Sequence, residues 1–452
     1  MSRVRLLCVL LSVAVVAACS DGTGPGSTVT VTSVSPANGP LAGGTAVTVT
    51  GTNFPATIDS VRIGTGRLGS LVRVSGMQLT GTTPAGSTAG AVDATVYTTS
   101  AGSASCTSCF TYNPVVTVTW IGLTAGGSHT CGLTSGGAAY CWGSGLNVGD
   151  GSLANRTTPV AVAGGLTFAS LSAGGDHTCG LTSGGAAYCW GGFPPVAVAG
   201  GITFASLTAG GSHTCGLTSG GAAYCWGDNS DGQLGDGSTT NRTTPVAVAG
   251  GLTFASLTAG GFHTCALTSG GSAYCWGYNI SGQLGDGSTA NRTTPVAVAG
   301  GITFASLTAG YFHTCGVTSG GAAYCWGLNA SGQLGDGSWT NRAAPWAVTG
   351  GLAFASLDAG GYYTCGLTSG GAGYCWGDDY YGQLGDGSVQ VGRKLPVAVA
   401  GGLTFASLSA GAHHTGGVTS TGTAYCWGWN SYGQLGRGDT LTAATPVPVA
   451  HP

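Results

Sequence analysis

Apolar and polar positions along this chain alternate in short runs broken by glycine-rich turns, and from about residue 115 one pattern returns seven times. The unit starting at Leu252 reads Leu-Thr-Phe-Ala-Ser-Leu-Thr-Ala-Gly-Gly-x-His-Thr-Cys. Leu-Thr-Ser-Gly-Gly, Ala-Tyr-Cys-Trp-Gly, Gly-Gln-Leu-Gly-Asp-Gly and Thr-Pro-Val-Ala-Val-Ala-Gly-Gly follow. Each unit offers four runs of strand character: Thr-Phe-Ala-Ser-Leu, His-Thr-Cys-x-Leu, Ala-Tyr-Cys-Trp and Pro-Val-Ala-Val-Ala. The Cys-Trp-Gly triplets place Trp142, Trp190, Trp226, Trp276, Trp326, Trp376 and Trp427 in equivalent positions. Four short strands per unit of about 50 residues predict one blade of a β-propeller. Seven units predict a seven-bladed ring over residues 115–452. In the second unit Gly192-Phe193-Pro194 replaces the long third loop, so a blade can form without it.

Residues 28–114 follow another pattern. Alternating Val47-Thr48-Val49-Thr50 reads as a half-buried strand, with Gly39-Pro40 and Gly43-Gly44 marking turns. A small β-sandwich is expected, so the chain as a whole is all-β. At the N-terminus Arg3 and Arg5 precede an apolar run from Leu6 to Ala18, too short for a membrane span. This reads as a targeting signal over 1–18, and the Gly/Ser-rich stretch after it as a flexible tether over 19–27.

Three resemblances follow from these motifs. Gly-x-His-Thr-x-x-Leu-Thr-x-x-Gly-x-x-Tyr-x-Trp-Gly, with Gly-Gln-Leu-Gly, resembles the regulator of chromosome condensation repeat across about 117–450. The segment from Val34-Ser35-Pro36 to Phe110-Thr111-Tyr112 resembles the immunoglobulin-like IPT/TIG domain, usually a spacer or interaction module. Val16-Ala17-Ala18-Cys19 resembles a bacterial lipoprotein signal box. That last resemblance implies acylation at Cys19 and membrane attachment through lipid alone. With Ser20 rather than Asp after the cysteine, it implies an outer-membrane lipoprotein, facing the periplasm or the cell surface.

Composition narrows the function. The chain holds 88 glycines, charged residues make up 6%, glutamate is absent and Lys394 is the sole lysine. Most acid/base chemistry is thereby closed to it except through Asp and His. A net charge of −3 argues against nucleic acid, which needs a basic patch to displace counterions.

Cysteines ten residues apart face each other across a hairpin turning at Ser-Gly-Gly. The expected disulfides are Cys131–Cys141, Cys179–Cys189, Cys215–Cys225, Cys265–Cys275, Cys315–Cys325 and Cys365–Cys375. They fit an oxidising compartment. Gly416 breaks the series and leaves Cys426 a lone thiol, free or intermolecular. Cys106 and Cys109 read as a local disulfide.

His129, His177, His213, His263, His313 and His414 share one position, with Tyr363 in the sixth unit. Sheets stack roughly 10 Å apart, too far for a shared metal, so hydrogen bonds between blades are expected and no metal or cofactor. The loops around Asp236, Asp286, Asp336 and Asp386 lack the Glu of a calcium loop and read as Asx turns. The Asn-Arg-Thr sequons at Asn155, Asn241 and Asn291 read as part of the repeat.

Differences between units concentrate in the first and third loops, which antiparallel order places on one face. The residue before the histidine position runs Ser128, Asp176, Ser212, Phe262, Phe312, Tyr362, His413. Third loops add Tyr278, Leu328, Tyr380, Tyr381, Trp429 and Tyr432. Phe262, Tyr278, Phe312, Tyr362, Tyr380, Tyr381, His413 and Trp429 are the candidate partner-binding residues, because large aromatics with polar neighbours make binding hot spots. No nucleophile stands apart from the repeat, so no enzyme is expected. The expected function is to hold a protein partner, with carbohydrate or cell-wall adhesion as the alternative. Guanine-nucleotide exchange, associated with the repeat's namesake, fits poorly with an exported chain.

Overall fold

The computed structural model describes residues 28–41, 43–113 and 118–452, in two compact units. The expected signal (1–18), the tether (19–27) with Cys19, and the expected boundary at 114/115 lie outside the described residues.

The first unit is a sandwich of a four-stranded and a five-stranded sheet. Strand Ala46–Thr52 buries every second residue, Val47, Val49 and Gly51, as its alternation predicts. Val49, Phe54, Ile63, Leu79, Val96 and Phe110 fill the space between the sheets. Cys106 and Cys109 are disulfide-bonded within strand Gly102–Asn113.

The second unit contains seven four-stranded antiparallel sheets, each made of four consecutive strands. These blades 1 to 7 span residues 120–161, 170–197, 206–247, 256–297, 306–347, 354–398 and 405–448. Blade 4 runs outward from the axis as Ser256–Ala259, His263–Leu267, Ala273–Gly277 and Arg292–Ala297. Its innermost strand starts three residues later than the expected Thr253. Phe254 N–H donates to Gly221 O in the turn of blade 3, 2.9 Å away. Only in blades 6 and 7 does that strand reach back to the phenylalanine, at Phe354 and Phe405. The outermost strand also shifts, beginning at Arg292 rather than Pro295. Cysteine partners lie directly opposite each other, as at Cys265↔Cys275, and all six blade disulfides form with Cα atoms 4.1 Å apart.

No blade borrows a strand to close the ring. Closure comes from bonds that repeat at every interface, blade 7 to blade 1 included. On the innermost strands a backbone N–H donates to a hydroxyl of the preceding blade, as Ala259 N to Thr208 Oγ1, and Ala125 N to Ser409 Oγ closes the set. Blade 6 supplies Asp358 instead, accepting from Ala410 N at 2.9 Å. Around the axis Gly127 N donates to Gly174 O, Gly175 N to Gly210 O and so on, ending with Ala412 N to Gly126 O at 3.1 Å. Glycine is required here by close approach. A Cβ on Gly210 would meet the Gly260 carbonyl oxygen at 2.5 Å.

Between blades the cores follow one recipe. Cys265, Cys275, Leu267 and Ala273 of blade 4 meet Phe304 and Trp326 of blade 5, with Leu284 from the third loop pressed between them. The same loop carries Gln283, whose carbonyl accepts from Thr314 Oγ1 (2.8 Å) and Trp326 Nε1 (3.0 Å). Across the closure Gln434 O accepts from Thr130 and Trp142. Cys426 is fully buried in that closing core, among Trp142, Val418 and Leu435. The intermolecular bond allowed for it is therefore sterically closed, and it is a free, enclosed thiol.

Candidate protein-interaction face

The histidine strand supports the face from below. His263 Nε2 lies 2.8 Å from Thr314 Oγ1 of the next blade, and the other five histidines repeat the contact at 2.6–2.9 Å. Thr314 already donates its proton to Gln283 O. It must accept from the imidazole, which fixes the Nε2–H tautomer and leaves Nδ1 as a buried acceptor without a partner. Burial holds His129, His213, His263, His313 and His414 neutral, with pKa values pushed down to about 3. In blade 6 the Tyr363 hydroxyl reaches Thr415 Oγ1 at 2.9 Å. These residues lock blades together, and all but the half-exposed His177 are enclosed.

One residue upstream the chain turns onto the loop face. Phe262 O accepts from Tyr278 N at 3.0 Å, Phe312 O from Leu328 N at 2.8 Å, and His413 O from Trp429 N at 2.9 Å. The variable residue of the first loop is thus tied to the first residue of the third loop in the same blade. The opposite face carries the Ser-Gly-Gly turns and the links bonded to them, as Phe254 to Gly221.

All eight expected residues lie on the loop face, in two clusters. In the first, Phe262 stacks on Phe312 at 5.3 Å, Tyr278 meets Phe312 edge-on at 6.0 Å, and Tyr362 lies 5.9 Å from Phe312. In the second, Tyr381 contacts Tyr380 (4.8 Å), His413 (5.5 Å) and Trp429 (5.7 Å). Tyr432 extends it 5.4 Å from Trp429. Offset and edge-to-face pairs at these distances are favourable, about 0.5–1.5 kcal/mol each beyond area burial. Tyr380 is 57% exposed, Tyr432 39% and Phe262 38%; the others are half-buried under their neighbours.

Tyr311 is not among the expected residues. It occupies the second glycine position of blade 5 at the central cavity of about 70 Å³, 6.3 Å from Tyr362. Burial, reinforced by the Asp176 carboxylate and Tyr362, pushes its hydroxyl up to about 12, so it stays a neutral donor. Its sequence signal is the break in Ala-Gly-Gly, and the cost shows in the ring. Tyr311 N–Gly360 O is 3.4 Å, the longest link around the axis. Blades 7, 1 and 2 present a cleft of about 460 Å³, edged by Ser128, Leu146, Asn147, Asp176 and Tyr432.

The aspartates of the third loops brace structure. Asp236 Oδ1 accepts from Ser238 N at 2.9 Å, an Asx turn, and its other oxygen pairs with Arg242 at 2.8 Å. The sequon residues Asn241 and Asn291 accept from Asn229 N and Asn279 N, both at 2.8 Å, tying the loop's ends together. Among the described residues no three His, Cys, Asp or Glu side chains converge to hold a metal.

The geometry defines a seven-bladed β-propeller with a packed aromatic arc on its loop face, in a chain that also carries an N-terminal β-sandwich. The RCC1-like domain model matches residues 192–452, the regulator of chromosome condensation (RCC1) repeat matches 120–147 and 168–192, and the IPT/TIG domain matches 29–113. The chain belongs to the RCC1-like domain family. It is 47% identical over 45 residues to the Arabidopsis thaliana ultraviolet-B receptor UVR8, covering 10% of each chain. It is 49% identical over 43 residues to human RCC1 domain-containing protein 1, covering 10% of this chain and 11% of that one. These matches span about a tenth of the relatives' length. Among solved structures, Saccharomyces cerevisiae Prp20p aligns with TM-score 0.62 at 22% identity, over 70% of this chain and 87% of that one. Human WBSCR16 aligns with TM-score 0.60 at 18% identity, over 66% and 85%. Both likenesses are of fold.

Proposed function

We propose that this chain is a non-enzymatic binding module, exported and lipid-anchored at Cys19, whose propeller holds a protein partner on its aromatic arc. The observation that carries the reading is the arc itself. Nine aromatic side chains and His413 from four consecutive blades pack ring against ring on one face, and three of the ten are more than a third exposed. Preformed aromatic surfaces lose little side-chain entropy on binding and suit a protein hot spot. Prp20p, similar in fold, is a protein whose binding to Gsp1p and histones has been described, which supports the class of role and not those partners. Six disulfides fit an oxidising compartment, and so support export to the outer membrane on its periplasmic or outer side.

The test is affinity capture by the full mature chain from cell-envelope and secreted fractions. A variant carrying Phe262→Ala, Phe312→Ala, Tyr362→Ala and Trp429→Ala, with an unchanged melting temperature, runs beside it. A protein retained by the first and lost by the second is expected. Equal capture by both, or by neither, overturns the aromatic-arc reading, and retention on immobilised glycans instead favours the carbohydrate alternative. For the anchor, an alkyne fatty acid should label the native chain in cells and leave a Cys19→Ser variant unlabelled.

A further inference from the structure

Five of the seven blade interfaces are sealed by a third loop, and its contacts are alike in each. A Gln carbonyl accepts from the Trp Nε1 and Thr Oγ1 of the next blade: Gln233 from Trp276 and Thr264, Gln283 from Trp326 and Thr314. The Leu after it is wholly buried against the Trp in front and the cysteines behind, a disulfide in four of the slots and the lone Cys426 in the fifth. Further on, a glycine N–H reaches the next blade's outer strand, as Gly237 N to Thr293 O at 2.9 Å.

Blade 2 has no such loop, and the interface with blade 3 stands open where the loop would lie. Three separate exposures mark the gap. Cys189 is half-exposed, whereas the other blade cysteines are buried. Trp226 is half-exposed, whereas Trp142, Trp190, Trp276, Trp326, Trp376 and Trp427 are buried. His177 is half-exposed, whereas its five counterparts are enclosed. Trp226 Nε1–H meets no acceptor among the described residues, and the Thr214 hydroxyl, 2.7 Å from His177 Nε2, lacks the Gln carbonyl to which its counterparts in five blades donate. Thr243 O, the counterpart of Thr293 O, lacks its N–H as well. Phe193, in the residual loop, is 76% exposed and does not fill the space. With His177 donating to Thr214 as His263 does to Thr314, the slot offers the Trp226 and Thr214 donors, one acceptor and an apolar floor of Cys189, Phe204 and Trp226, in the arrangement that five other slots show filled.

We propose that the slot between blades 2 and 3 is a peptide-recognition site for a partner protein's glycine-flanked turn of the form carbonyl–Leu–Gly. The turn would give its main-chain carbonyl to Trp226 and Thr214, its Leu side chain to the space beside Cys189, and a following N–H to Thr243. The occupant is specified by the five filled slots. The third loops of a second copy are already committed to their own interfaces, so the turn comes from a different protein. The site is independent of the aromatic arc.

The probe is a cyclised peptide copying residues 228–241, added to the oxidised full chain with 15N-labelled tryptophan. The Trp226 indole resonance is identified by its loss in Trp226→Phe. Saturable movement of that resonance alone is expected, and no movement with a Leu234→Asp peptide. Trp226→Phe should weaken binding about fivefold, one hydrogen bond's worth. A second variant replaces residues 192–194 with a copy of 228–244, filling the slot from within. It should melt at a higher temperature and lose peptide binding altogether. No shift at millimolar peptide, or binding that persists in the filled variant, overturns the proposal.

Discussion

Asp379 stands where blades 3, 4, 5 and 7 carry Asn229, Asn279, Asn329 and Asn430. Those asparagines accept from the Leu amide with one atom and donate to loop carbonyls with the other, as Asn229 does to Ser238 O at 3.0 Å. A carboxylate can only accept, and Asp379 is buried. Its pKa rises to about 6 through burial, despite bonds from Leu384 N and the Ser388 hydroxyl. A folded value above the unfolded one means stability present below about pH 4 and lost as pH rises through 6. Asp379→Asn should therefore stabilise the chain by about 2 kcal/mol at pH 7, with the gain shrinking toward pH 4. Denaturant midpoints at the two pH values measure it. Gly416 is a second single-residue departure. It faces Cys426 across the hairpin, and a Cβ built on it lies 3.7 Å from the Cys426 sulfur. Gly416→Cys should form the seventh blade disulfide once Leu123 gives way slightly. Among the described residues the thiols titrated under denaturing conditions would fall from one to none, and stability rise by about 2 kcal/mol. Native Cys426 should resist thiol reagents until the chain unfolds, since burial pushes its pKa up as well. Both departures are legible as broken repeats. Their consequences are not, because they depend on what encloses each side chain.

At the scale of the strand, the buried histidines set the pH response. Their folded values lie near 3 against the usual 6.5, so their stabilisation is intact above 6.5 and lost as pH falls toward 3. Asp358 and Asp379, both raised to about 6, act in the opposite sense between about pH 4 and 6. The lowered imidazoles, His177 and His413 among them, outnumber the raised carboxylates, so the net effect is a loss of stability as pH falls through this range. The denaturant midpoint should fall steeply from pH 6 to pH 4; a flat profile would mean that the imidazoles reach water. The shared histidine position and its hydrogen-bonding role could be read from spacing, because strands repeat in sequence. The Thr–Gln carbonyl relay could not, since its partners lie in different blades and no local pattern joins them.

For the propeller as a whole, repetition made the seven blades and six disulfides legible, while closure had to be seen. Rings of bonds through Ala125, Gly126 and Thr130 close the propeller without a shared strand. The aromatic face was legible from where the units differ. Its division into two packed clusters, the presence of Tyr311 and the open slot beside Trp226 emerged only once neighbouring blades were in place. The central claim is that this face meets a protein. It is tested most directly by placing a photo-crosslinking phenylalanine derivative at Tyr380 in intact cells, and in a separate strain at Ser269 in an opposite-face turn. Light should join a discrete second protein to the chain at Tyr380 and not at Ser269. Adducts at Ser269 alone, or protein adducts at neither position, would contradict the account.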